Sequence, residues 1–271
     1  MTDRTKTVVV TGSTRGIGFG MATALLGMGC RVVITARAQP GVDEAAAQLA
    51  KEHGADRILG LACDVASPRD VQALWDATAA RFGRVDVWIN NAGTSNPQRA
   101  FVEQTTECIT AVVGANLLGT MLGSRVALAG MTKQGGGQLY NMEGYGSDGS
   151  MQPGMALYGS TKRAVRYFTR ALAREARGTP IQVCTLSPGI VVTDLLVSVY
   201  QAGDPENWRR SRRLFNIIAD RVETVAPWLA REVLENRRSG AHIAWMTIPK
   251  AMTRFLRLSY LRRDLFAGLD R

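Results

Sequence analysis

The chain has 271 residues, 46% of them hydrophobic, which is enough apolar material for one sizeable core. Its net charge of +10 is uneven: from Pro205 to Arg271 there are 14 Arg or Lys against 7 Asp or Glu, which points to one face or one ligand rather than a uniformly basic, nucleic-acid-binding surface. With two histidines, His53 and His242, and four scattered cysteines, Cys30, Cys63, Cys108 and Cys184, that form no CxxC pair, zinc and Ser-His-Asp chemistry are hard to build.

In chain order, Met1 to Lys6 is polar, with no charged and apolar presequence, and no uninterrupted apolar run reaches membrane-spanning length, so a cytoplasmic location is expected. Short apolar runs at Thr7–Val10, Arg31–Thr35, Ile58–Cys63, Val85–Asn90, Gln138–Asn141 and Gln182–Leu186 read as buried strands. Between them Ile17–Leu26, Asp43–His53, Pro68–Phe82, Glu107–Met131 and Leu157–Arg177 read as helices, punctuated by Gly54, Ser67-Pro68 and Gly178. Regular alternation of strand and helix implies parallel βαβ units, and hence an α/β, Rossmann-type doubly wound sheet. No linker divides the chain, so residues 1–271 are expected to form a single domain. Beyond Pro188 the pattern becomes helical: Asp204–Ala219 and Val222–Asn236 are predicted helices, Ala241–Thr247 a last strand, and Pro249–Arg263 a cationic tail helix. Residues 205–271 are thus expected to act as lid and tail.

The first strand runs into Gly12-Ser13-Thr14-Arg15-Gly16-Ile17-Gly18. Glycines at 12, 16 and 18 permit a tight turn and close approach of backbone to phosphate, and the helix that follows aims its free amides at a pyrophosphate. The strand–turn–helix context makes this a dinucleotide-binding signal. A carboxylate at the end of the second strand would bind ribose hydroxyls and repel a 2′-phosphate. Here that end reads Thr35-Ala36-Arg37, so Arg37, with Arg15 from the glycine loop, favours NADP(H).

Tyr158 and Lys162 lie four apart on a predicted helix and share one face. Reduction of a carbonyl leaves an alkoxide that needs a proton, and a phenol with a pKa near 10 gives it up more readily beside a cation. The glycine spacing, Asn90-Asn91-Ala92-Gly93 after the fourth strand, and Tyr158-Gly-Ser-Thr-Lys162 together resemble the short-chain dehydrogenase/reductase family, over residues 5 to about 195. The resemblance implies that Asp64, followed by Val65, holds the adenine edge, and that Asn91, Ala92 and Gly93 line the adenosine side of the cofactor. It also implies that Ser187-Pro188-Gly189, Ile190 and Thr193 lie along the nicotinamide half, that Lys162 bonds the nicotinamide ribose, and that Asn116 holds a water in the proton relay. A homodimer or homotetramer is expected.

One motif departs from the family. Where Asn-Ile-Ser-Ser is usual, this chain has Asn141-Met142-Glu143-Gly144-Tyr145-Gly146-Ser147, so glycine stands where the catalytic serine aligns. Ser147 is the favoured replacement donor, Tyr145 the second candidate, and a site with neither the third. The same loop resembles that of the chlorophyll(ide) b reductase branch, as do Thr185–Leu196 and Phe215–Ala226. That branch reduces a formyl group on a flat macrocycle, which implies a wide apolar pocket for a bulky hydrophobic substrate: a chlorin, or another bulky ketone, aldehyde or alcohol such as a steroid or polyketide. In the tail, Met252, Phe255, Leu256 and Leu261 fall near one side of a helix that carries Lys250, Arg254, Arg257, Arg262 and Arg263. Packing on the core or on a sister subunit is the first expectation for it, and peripheral contact with an anionic membrane the second.

Overall fold

A computed structural model describes residues 5–201 and 205–267. Seven strands, β1 (Thr7–Thr11), β2 (Arg31–Ala36), β3 (Ile58–Ala62), β4 (Val87–Asn90), β5 (Gly137–Met142), β6 (Ile181–Ser187) and, after the pair named below, β9 (His242–Ala244), form one parallel sheet ordered β3-β2-β1-β4-β5-β6-β9. Valine-rich runs such as Thr7–Thr11 are buried along their whole length because helices cover both faces. This is the predicted doubly wound sheet.

On one face α1 (Gly16–Gly27), α2 (Gln39–His53) and α9 (Val222–Glu235) pack over Val8, Val10, Val32, Ile34 and Ile89. The approach of α1 to α9 is close: a Cβ on Gly20 would stand 2.6 Å from Val222 Cγ1 and 2.8 Å from Ala226 Cβ. On the other face α3 (Pro68–Phe82), α5 (Gly119–Lys133) and α6 (Ala156–Glu175) enclose Val9, Val33, Trp88, Leu139 and Val183. The start of α3 follows its sequence signals: Ser67 accepts the Asp70 amide, Pro68 stands at the first turn, and Gly83 ends the helix at φ +84°.

The predicted helix Glu107–Met131 is longer and less regular than expected. It comprises α4 (Thr106–Val113), a π-helical turn over Gly114–Leu118 and α5. The whole unit, Thr106–Lys133, runs 28 residues, and its most apolar stretch of 18 has a mean hydropathy of 1.4, so by length and composition it is, among the described residues, a helix long and apolar enough to cross a membrane, although 44% of that stretch is buried in the protein. Its inward face packs on the sheet, with Val126, Ala127 and Met131 fully or nearly fully buried.

Past β6 the chain departs further from expectation. Val191–Val192 (β7) and Asp220–Arg221 (β8) pair in a small parallel ribbon, and α7 (Asp194–Gln201) precedes α8 (Pro205–Ile218), whose predicted first residue, Asp204, lies outside the described residues. The last strand shrinks to His242–Ala244. The predicted tail helix Pro249–Arg263 is two pieces, α10 (Ile248–Phe255) and α11 (Leu258–Leu261). It does not lie free, because Arg254 is buried against Asp220 and Arg263 is clasped by the carbonyl oxygens of Asn216, Ile217 and Ala219.

Candidate active site

The order of the sheet reverses between β1 and β4, which opens a crevice at the carboxyl ends of those strands. One asparagine joins its two sides: Asn91 donates from Nδ2 to the carbonyls of Thr11 and Gly12, and its amide and that of Ala92 both donate to Thr11 Oγ1. Asn91 therefore shapes the glycine turn from behind. Ser13 is likewise turned inward, donating from Oγ to Val10 O and accepting the Thr35 amide. The turn tolerates no bulk. Gly12 has φ +64°, and a Cβ there would stand 2.8 Å from Ala92 Cα. A Cβ on Gly18 would lie 2.4 Å from Gly12 O. Gly16 faces Thr193 across the opening, with its Cβ position 3.5 Å from Thr193 Cγ2. Thr14 is part-buried at the same turn.

Around this cradle Arg15 caps α1 and is exposed, as is Arg37 at the end of β2. Neither side chain has a partner among the described residues. Asp64 is exposed beyond β3 with Oδ1 accepting the Ala66 amide, while Val65 is buried against Gly119. Pro188 is buried, Gly189 turns at φ +70° against Met246, and Ile190 joins the apolar wall that includes Tyr158. A glycine turn without room for a Cβ, a helix start and two free cations fit a phosphorylated dinucleotide.

The chemical groups meet where α6, the π turn and the loop after β5 converge. The π turn carries Asn116 into the interior, where its Oδ1 accepts the Thr94 amide and its Nδ2 donates to Thr94 O and Thr161 Oγ1. Thr161 in turn donates to Tyr158 O. Lys162 is buried and donates to Met142 O at 3.1 Å. Gly93 stands between them, its Cβ position 2.9 Å from Asn116 Oδ1 and 3.7 Å from Lys162 Nζ. The Tyr158 hydroxyl has no hydrogen-bond partner among the described residues, so it is available to a ligand. A residue that escaped the sequence reading, Asn96, accepts the Tyr158 amide at 3.2 Å and donates to Pro97 O and Gly154 O. It caps the start of α6 from a distant loop, and no local pattern announces it.

The electrostatics run against one expectation. Burial pushes the Tyr158 phenol up to about 12, and burial pulls Lys162 down to about 8, opposed by the Glu143 carboxylate. With Nζ 5.8 Å from the ring centroid, desolvation outweighs the attraction expected to lower the phenol.

The loop with the missing serine explains its own composition. A Cβ on Gly144 would stand 2.4 Å from the Tyr158 hydroxyl oxygen and 3.2 Å from Lys162 Cε, and Gly146, at φ +85°, backs within 2.7 Å of Gly159 Cα. The loop thus lies directly on α6 at the tyrosine. Ser147 is buried and donates to Glu143 Oε2 at 3.3 Å, while its carbonyl accepts Arg163 Nη1. Tyr145 is half-exposed, and burial raises its phenol. Glu143 is 2% exposed, with Arg166 Nε at 3.6 Å from Oε1 and His242 Nδ1 at 3.6 Å from Oε2.

A family model described as short chain dehydrogenase matches residues 6–203. The chain belongs to the short-chain dehydrogenase family. Among curated members, the probable chlorophyll(ide) b reductase NYC1, chloroplastic, of Arabidopsis thaliana is 36% identical over 95% of this chain and 54% of that protein. Chlorophyll(ide) b reductase NOL, chloroplastic, of Oryza sativa subsp. japonica is 35% identical over 97% of this chain and 78% of its own length. The chain spans about half the length of the NYC1 proteins it matches. Two solved members of the fold align with a TM-score of 0.77: the 3-ketoacyl-(acyl-carrier-protein) reductase of Brucella melitensis complexed with NADH, at 26% identity over 89% of this chain and 96% of that one, and ElxO with NADP bound, at 25% over 89% and 97%.

Proposed function

We propose that this short-chain dehydrogenase is an NADP(H)-dependent reductase of an aldehyde or ketone borne on a bulky, apolar framework, with the formyl group of a chlorin as the first substrate to test. The carrying observation is the unbonded Tyr158 hydroxyl, backed by Lys162 and Asn116 and walled by an aromatic group. In that wall Tyr200 meets Phe215 at 5.2 Å and Trp208 at 5.7 Å, and Phe266 closes on Trp208 at 5.2 Å. The names of the curated relatives support the chlorin; the exposed Arg15 and Arg37 support the 2′-phosphate.

The cofactor would supply the hydride. It would be held by the amides of Gly12–Gly18, by Arg15 and Arg37, and by Asp64, Val65, Ala92, Gly93, Ile190 and Thr193. Tyr158 donates the proton to the developing alkoxide from its hydroxyl, and Lys162 steadies the phenolate left behind. Asn116 and Thr161 fix the α6 turn that carries both. Gly144 leaves the phenol open to a wide carbonyl, so the tyrosine does alone what a neighbouring serine shares elsewhere; Ser147 serves the loop through Glu143. Exposed Val113, Leu118 and Met121 on the long helix and Tyr167 on α6 supply an apolar face for a second copy in a homodimer or homotetramer.

The test is turnover of purified protein with NADPH or NADH against chlorophyllide b-type chlorins and a panel of bulky aldehydes and ketones. Tyr158→Phe is expected to lower kcat by about 10²–10⁴-fold with cofactor binding retained. Unchanged turnover would refute the assignment.

A further inference from the structure

Six large apolar side chains crowd the surface between Ile248 and Leu261. Leu256 is 84% exposed, Ile248 79%, Leu258 66% and Met252 63%, with Phe255 and Leu261 close to half. On α10, Ile248, Met252 and Phe255 follow at i, i+4 and i+7 and share one face. That face cannot rotate inward. Arg254, about 200° around the helix from Met252, is buried and donates to Asp220 Oδ2 at 2.6 Å and to Ile218 O. Arg263 holds the far end of the segment on Asp220 Oδ1 at 3.3 Å. Both arginines also lie over the Tyr260 ring, at 4.8 and 4.4 Å from its centroid. The clasp thus spends two cations on holding an apolar face outward.

Among the described residues, the charges around the face that lack a partner are of one sign. Among the described residues of α8, β8 and the tail the acids are engaged: Glu206 by Arg210, Asp264 by Arg212, and Asp220 by Arg254 and Arg263. Arg257 and Arg262 are exposed beside the apolar residues with no side-chain partner among the described residues, and Arg209 and Arg213 are exposed on α8, which packs against α10 and α11. A second copy meeting this face through a twofold axis would bring arginines against arginines. An anionic lipid surface would take the apolar side chains among its acyl chains and the arginines at its phosphates.

We propose that the α10–α11 face is a peripheral docking surface for a bilayer that carries anionic phospholipid. It lies on the segment that also buries Phe266 in the apolar cluster against which Tyr158 packs. The proposal does not depend on which carbonyl compound is reduced.

Co-sedimentation of the full chain with vesicles tests it independently of turnover. Binding is expected to vesicles of phosphatidylcholine mixed with phosphatidylglycerol, not to phosphatidylcholine alone, and to weaken as salt rises. Met252→Asp with Leu256→Asp, and separately Arg257→Glu with Arg262→Glu, should each weaken binding by at least about tenfold, with the melting temperature and solution turnover of the chain unchanged. Absence of binding to mixed vesicles, equal binding to both compositions, or binding indifferent to either pair of substitutions would overturn it. So would a self-associated species that the aspartate pair breaks up, since the occupant would then be a second copy.

Discussion

At the scale of single residues, Gly144 and Glu143 do the most to set this site apart. Gly144 is held as glycine by the Tyr158 oxygen, 2.4 Å from where a Cβ would be. Gly144→Ser, although it restores the family residue, is therefore expected to cost about tenfold or more in kcat/KM with NADPH, because the new side chain must displace the phenol. A gain in kcat/KM would show that the loop yields instead. Glu143 acts on Lys162: its carboxylate favours the charged amine and partly offsets the burial that leaves it at about 8. In Glu143→Gln that support is lost and Lys162 gives up its proton at a lower pH. The high-pH limb of kcat/KM should move to lower pH, whereas an unmoved limb would leave Glu143 with only a packing role. The Tyr158–Lys162 pair and the glycine turn were legible because their chemistry depends on fixed short spacings. Glu143, Asn96 and the inward turns of Ser13 and Asn91 were not, since their partners come from 20 to 80 positions away or from β6, β9 and α6.

At the scale of elements, the alternation of strands and helices through β6 was readable because buried parallel strands are short, continuous apolar runs with glycine and proline between them. Reading failed where tertiary partners decide. The π turn at Gly114–Leu118 leaves no periodic mark, and the two-residue strands β7 and β8 are too short to show one. The tail looked like one amphipathic helix because its arginines were counted as solvated, whereas two of them are anchored by Asp220. That carboxylate also accepts Trp245 Nε1 at 2.6 Å, so three separate segments converge on it. Asp220→Ala would strand Arg254 in the interior, and a loss of about 3–5 kcal/mol is expected in urea unfolding. A loss below about 1 kcal/mol would mean that the carbonyl oxygens around the arginines suffice.

At the scale of the whole molecule, the placing of charge follows the sheet. The crevice at the β1–β4 reversal is flanked by Arg15 and Arg37 without a nearby acid at the end of β2, which sets the expected preference for the phosphorylated cofactor. Arg15→Ala with Arg37→Ala should raise the KM for NADPH at least about tenfold and leave that for NADH nearly unchanged; equal effects on both would refute the assignment. The bond from Asn91 to the glycine turn has a further consequence. The two banks of the crevice are tied together, because one side chain and one threonine hydroxyl bridge them. Such a groove surrenders little disorder when it is filled. The nucleotide end is in that sense a mould set before its guest arrives.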